Sequence, residues 1–270
     1  MKSIQSNIKK AKKYLDKNDC IAVPTETVYG LAGNAYSNIA VKKIFKLKKR
    51  PVNNPLIVHY YDINKLKQDC HINDNFIKLF NKFSPGPITF ILKLKKDSKI
   101  SNFVTNKQKM LAVRFPKHLL FRKLLKNLNY PLAAPSANIS TKLSSVQASD
   151  VIEEFGSKIR YVLNGGKCQI GVESTIINLI GKPTILRFGG LEISKIEKRL
   201  GRNSISGSRK KPDGSELNWK QIGVLGTLED AQLPFFVEWI SSSHPSTDGV
   251  AIAKISKIEI VGSIEKITSW

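Results

Sequence analysis

Five short segments of this 270-residue chain concentrate side chains able to neutralise anions or to hydrogen-bond a small polar ligand. The first, Val23 to Leu31 (VPTETVYGL), crowds hydroxyls, the Glu26 carboxylate and Gly30 into a turn after a β-rich run. Threonines in such a turn could equally do no more than cap the next helix. The second, Lys46 to His59 (KLKKRPVNNPLIVH), closes a helical pattern with cations, crosses a turn bounded by Pro51 and Pro55, and ends a strand on histidine. Cations at a helix C-terminus are ordinarily dipole partners, and a single strand histidine is ordinarily structural. What favours binding is density, because Arg50 offers a planar fork for phosphate oxygens beside amides able to read a purine edge.

The third segment, Val113-Arg114-Phe115-Pro116, puts an arginine between apolar neighbours at a strand end. Such an arginine either faces water or, if it turns inward, needs a protein or ligand carboxylate. In the fourth, Ala133 to Ser140 (AAPSANIS), a small-residue strand runs into a Ser/Asn turn that lets a ligand approach the backbone. The fifth, Gly171 to Asn178 (GVESTIIN), is followed by Ile185 to Gly190 (ILRFGG), a hairpin-like pair carrying Ser174 and Arg187. A hairpin alone accounts for these glycines.

Helical patterns alternate with β-rich runs, which predicts an α/β fold. Strands are expected over Cys20–Val23, Leu56–Tyr60, Ile88–Leu94, Leu111–Phe115 and Thr175–Leu179. Helices are expected over Ile4–Lys17, Asn38–Lys49, Asn73–Phe83, His118–Leu128, Asp150–Phe155 and Leu191–Leu200, the fifth opened by Asp150 and Glu153 as a capping pair. The polar segments fall at strand ends and turns, where a rigid sheet can position them.

A length of 270 residues and a hydrophobic fraction of 41% suit one large core with an appendage. No apolar run approaches a membrane span, and no export signal is visible. Cys20, Cys70 and Cys168 are too dispersed for a disulfide framework or a zinc site, so a reducing, cytoplasmic setting is expected. The formal charge of +23 favours phosphate-bearing partners, although an excess of lysine can also be solvated background. From Gly207 onward the net charge is −1, leaving +24 on the preceding residues. That shift, with the Gly- and Ser-containing stretch Asn203–Ser208, predicts domains at 1–206 and 207–270.

In this order, PTETVYGL, K-x-R-P-x-x-N-P-L-I-V-H, AVRFP, PSAN and GVEST resemble the Sua5/YrdC/YciO family, over about Ile4 to Leu200. The resemblance implies a twisted mixed sheet flanked by helices around a large basic cavity. It implies the activity of an L-threonylcarbamoyladenylate synthase, which condenses L-threonine, bicarbonate and ATP for the modification of tRNA adenosine beside the anticodon. It implies that Thr27, His59, Arg114 and Ser174 hold threonine, with Arg114 opposite the carboxylate. ATP falls to Lys48, Arg50, Asn54, Ser136, Asn138, Ser144 and Arg187, with Lys48 and Arg50 acting on the reacting phosphate. Magnesium is expected to ride on ATP without a dedicated protein site, and a tRNA threonylcarbamoyl-transfer complex to take the product. The absence of a Ser-His-Asp or paired-carboxylate constellation agrees, since positioning and electrostatics dominate phosphorus chemistry.

Some members continue through a K-Y-x-H-Y-x-P type linker into a Rossmann-like domain, and that pattern is absent here. Residues 207–270 instead resemble part of a glyoxalase-like module, expected as a short α+β appendage too small for a stable core of its own. Glu238 and His244 in it lack companions for a metal site, and Phe235, Phe236 and Trp239 are expected to pack on the main domain or a second copy. The alternative function is a non-catalytic double-stranded RNA or tRNA binder of the same fold, drawn by the basic surface.

Overall fold

A computed structural model describes residues 2–191, 195, 205–210, 216–222 and 236–239. The chain forms two compact units, Met1–Ile196 and Glu197–Trp270. The first is an eight-stranded mixed sheet flanked by helices, in the order β1-β2-β6-β3-β5-β4-β7-β8. Its strands are β1 (Ile21–Val23), β2 (Gly30–Asn34), β3 (Ile57–His59), β4 (Ile88–Lys93), β5 (Met110–Arg114), β6 (Leu132–Ala133), β7 (Thr175–Asn178) and β8 (Thr184–Arg187). Pairs β3/β5 and β4/β7 are parallel and the rest antiparallel.

The helices are α1 (Lys2–Asp16), α2 (Asn38–Lys48), α3 (Ile63–Asp69), α4 (Asp74–Phe83), α5 (Asn102–Thr105), α6 (Leu119–Lys126) and α7 (Ala148–Phe155). Of the expected α1 stripe, Ile8, Ala11 and Leu15 are buried against Phe121, Leu124 and Leu125 of α6, while Ile4 stays exposed. Helix α7 corrects one expectation: it begins at Ala148 with Gln147 as N-cap, and Asp150 is its third residue. The Asp150 carboxylate reaches back to accept the amides of Val146 and Gln147, satisfying N–H groups that the first turn leaves free. No helix among the described residues is long and apolar enough to cross a membrane.

In the second unit β9 (Ile205–Lys210), β10 (Glu216–Ile222) and β11 (Phe236–Trp239) form an antiparallel sheet in the order β11-β10-β9. Strand β9 runs through Gly207, where the charge shift begins. His244 and most of the expected Leu191–Leu200 helix lie outside the described residues, as do the side chains of Phe235, Phe236, Glu238 and Trp239.

Candidate functional site

Strands β3 and β5 end, and β4 and β7 begin, on the same edge of the sheet. The register there sets His59 beside Arg114 and Arg114 beside Thr89, and the Thr89 hydroxyl bonds that of Ser174, just before β7, at 2.7 Å. A polar row thus crosses the end of strands whose other buried residues are mostly apolar. His59 is 2% exposed, and burial followed by the charge of Arg114 holds its pKa well below the ordinary value, so the ring is neutral near pH 7. Its Nδ1 and the Nε of Arg114 are buried without a hydrogen-bond partner among the described residues. Each such group costs about 1–3 kcal/mol until something bonds it.

The turn between β1 and β2 is organised by Thr25, whose Oγ1 accepts the amides of Thr27 and Val28 and donates to the Val28 carbonyl. This local bonding is how a hydroxyl competes with regular structure and fixes a turn. It brings Glu26 inward, 5% exposed, to accept Arg114 Nη2 on Oε1 at 2.7 Å and the Lys117 amide on Oε2 at 2.9 Å. Arg114 therefore turns inward and finds a protein carboxylate.

Helix α2 stops at Lys49, whose φ of +49° lies in the left-handed region and reverses the chain. Such a conformation is strained for a residue with a Cβ, and it turns Arg50 back over the following loop. There Arg50 donates to the carbonyls of Asn54 and Pro55 and to Asn54 Oδ1. Burial and the nearby Arg187 lower its pKa to about 10, which leaves it charged at neutral pH. Lys48 points the other way: its Nζ donates to the carbonyls of Ser136 and Asn138 under the PSAN turn. The Asn138 amide is committed locally, to the carbonyls of Ile139 and Lys142.

Arg187 reaches across from β8 to the Ser174 carbonyl, through Nε at 3.1 Å and Nη2 at 2.9 Å, and Nη2 also bonds Ser174 Oγ. Its neighbour Glu173 accepts the Ser144 hydroxyl at 2.5 Å, tying the loop after the PSAN turn to the start of β7.

These pieces enclose a cavity of about 520 Å³, counting the solvent in its mouth. Of the residues expected from sequence, Arg50, His59, Arg114, Ser136, Ser174 and Arg187 line it. Thr27, Lys48, Asn54, Asn138 and Ser144 do not; each hydrogen-bonds a residue that does or supports its turn. Thr25, Tyr29 and Glu173 line the wall although sequence reasoning gave them no role. Their signal was their place inside the same polar segments, PTETVYG and GVEST. Three guanidiniums face one lining carboxylate, so the cavity is built for anions. No group of three or more His, Cys, Asp or Glu side chains able to hold a metal occurs among the described residues.

A family model for Sua5, YciO and YrdC, described as telomere recombination, matches residues 13–189. The chain belongs to the Sua5/YciO/YrdC family. It is 41% identical over 196 residues to the threonylcarbamoyl-AMP synthase of Pyrococcus abyssi, covering 72% of this chain and 57% of the relative. Identity to the threonylcarbamoyl-AMP synthase of Bacillus subtilis is also 41%, over 72% of this chain and 56% of that protein. The crystal structure of P. abyssi Sua5 complexed with L-threonine superposes with a TM-score of 0.70 at 41% identity, over 72% of this chain and 57% of that one. The chain thus spans little more than half the length of these Sua5 relatives.

Proposed function

We propose that the cavity condenses L-threonine, bicarbonate and ATP into threonylcarbamoyl-AMP and pyrophosphate, for threonylcarbamoylation of tRNA adenosine beside the anticodon. The observation that carries this reading is the row of His59, Arg114 and Ser174 lining one cavity with Arg50 and Arg187. An amino-acid subsite and a polyanion subsite are thereby contiguous. The names of the relatives, and the threonine complex of one of them, support the choice of substrates.

Arg114 faces the threonine carboxylate, leaving its free Nε a partner, while Thr27, His59 and Ser174 surround the remainder. The threonine ammonium gives up one proton to solvent, its nitrogen bonds to the carbon of bicarbonate, a second proton leaves with the bicarbonate hydroxyl as water, and the carbamate oxygen then attacks the α-phosphorus as pyrophosphate departs. Arg50 and Arg187 neutralise charge on the phosphates, and Lys48, Asn54, Ser136, Asn138 and Ser144 hold the turns on which the nucleotide rests. Preorganised cations aimed at developing charge supply most of such an acceleration. Magnesium enters with ATP. The transfer complex that accepts the product, and tRNA or other RNA held by the basic surface, complete the proposed partners, in a cytoplasmic setting consistent with three free cysteines.

The test is pyrophosphate release from ATP, magnesium and bicarbonate with L-threonine, L-serine or no amino acid. Threonine- and bicarbonate-dependent release is expected. Its absence, with tight salt-sensitive RNA binding, would favour the non-catalytic binder. Arg50→Ala is expected to lower kcat/KM about 100-fold or more with little change in unfolding temperature, because its partners are in a turn that water can reach. Unimpaired turnover by the folded variant would remove Arg50 from the phosphate site.

A further inference from the structure

Among the described residues lining the cavity, Glu173 alone carries a carboxylate. The buried acid nearby, Glu26, is instead engaged by Arg114 on one oxygen and the Lys117 amide on the other. Glu173 is held differently. The Ser144 hydroxyl bonds its Oε1, and it forms no ion pair among the described residues. A carboxylate kept available amid three guanidiniums would weaken an all-anion site, so its presence calls for a cationic group on the ligand.

Resting on the synthase reading, we infer that Glu173 receives the α-ammonium group of the incoming amino acid and makes the site select amino acids over hydroxy acids. A zwitterion needs an acceptor for its nitrogen as well as a cation for its carboxylate. Glu173 adjoins Ser174 in the threonine half of the cavity, while Ser144 and Arg187 link it to the nucleotide half. The threonine nitrogen must lie at that junction, since the carbamate built on it has to reach the α-phosphorus. Burial would push the Glu173 pKa up. The Ser144 hydrogen bond, its own amide, and the charges of Arg187 and Lys48 outweigh that and keep it below the usual range. The group is therefore ionised at neutral pH, as a counter-ion must be.

The experiment measures binding to the full chain, without ATP, of L-threonine and of its analogue with hydroxyl in place of the amine. Glu173→Gln, checked for an unchanged unfolding temperature, is expected to weaken threonine about tenfold or more while leaving the analogue and the KM for ATP unchanged. Glu173→Asp, which keeps the charge, is expected to recover part of the loss. An unchanged ratio of threonine to analogue affinity in Glu173→Gln overturns the inference. So does a raised magnesium requirement at unchanged threonine affinity, which would give the carboxylate to the metal. Failure of the unsubstituted protein to bind threonine at all would instead overturn the synthase reading, and the role of Glu173 with it.

Discussion

Replacing Glu26 by Gln is expected to lower the unfolding free energy by about 3–5 kcal/mol, the cost of leaving one member of a buried ion pair without its counter-charge. Glu26 and Arg114 are both almost wholly buried, and their contact is 2.7 Å. The amide would preserve shape and one acceptor, so the effect would report charge rather than packing. Loss of threonine use should accompany it, because the register of β3 and β5 places the Arg114 backbone but Glu26 holds its guanidinium in position. Urea unfolding and the KM for threonine measure the two effects separately. A variant as stable as the parent, with an unchanged KM, would show that the pair neither holds the fold nor positions Arg114.

The same pair fixes a pH dependence. Burial would raise the Glu26 pKa, but the charge and hydrogen bond of Arg114 and the backbone donors prevail, and it lies below the ordinary value. A carboxylate depressed in the folded state binds fewer protons there than in the unfolded chain. Its stabilisation is present above the unfolded pKa of about 4.3 and disappears as pH falls through the lower folded value. The parent should lose stability along that acid limb, and Glu26→Gln should lose less because nothing remains to titrate.

Much of the sheet was legible because β4 and β5 alternate or concentrate Ile, Val, Leu and Phe between turn residues, the pattern from which strands are read. Strand β2 was not. Its sequence, GLAGN, has no β-branched or aromatic residue, and it is a strand only because β1 and β6 pair with it on either side. Gly33 serves that packing: a Cβ there would meet Ala40 and Ile44 of α2 at 3.3 Å. Two-residue β6 and seven-residue α3 are too short for periodicity to mark. In the site, residue types exposed the ingredients and the order of segments suggested their use. Sequence could not say which carboxylate answers Arg114, because Glu26 lies 88 positions away. Nor could it separate Arg50, which lines the cavity, from Lys48, which turns beneath it. That difference arises from the left-handed residue at Lys49, and no propensity predicts a lysine there.

Lys48→Met should therefore act through the PSAN turn and not by removing a group from the cavity. Methionine fills much of the same space but donates nothing, so the Ser136 and Asn138 carbonyls lose the ammonium that bonds both. A buried carbonyl left without a donor costs about 1–3 kcal/mol, and the turn carrying Ser136 into the cavity should loosen, raising the KM for ATP more than that for threonine. Burial and the charge of Arg50 lower the Lys48 pKa to about 8. Between that value and the unfolded pKa of about 10.4 the unfolded chain binds the extra proton, so this group makes stability rise with pH through that window and contributes no change below it. The stability difference between the parent and Lys48→Met should consequently widen from pH 7 to pH 10, while the difference between Lys48→Arg, charged throughout, and Lys48→Met should not change over that range. A difference independent of pH would mean that the Lys48 ammonium is as well solvated in the folded protein as in the unfolded chain, and the turn would then need another explanation for its order.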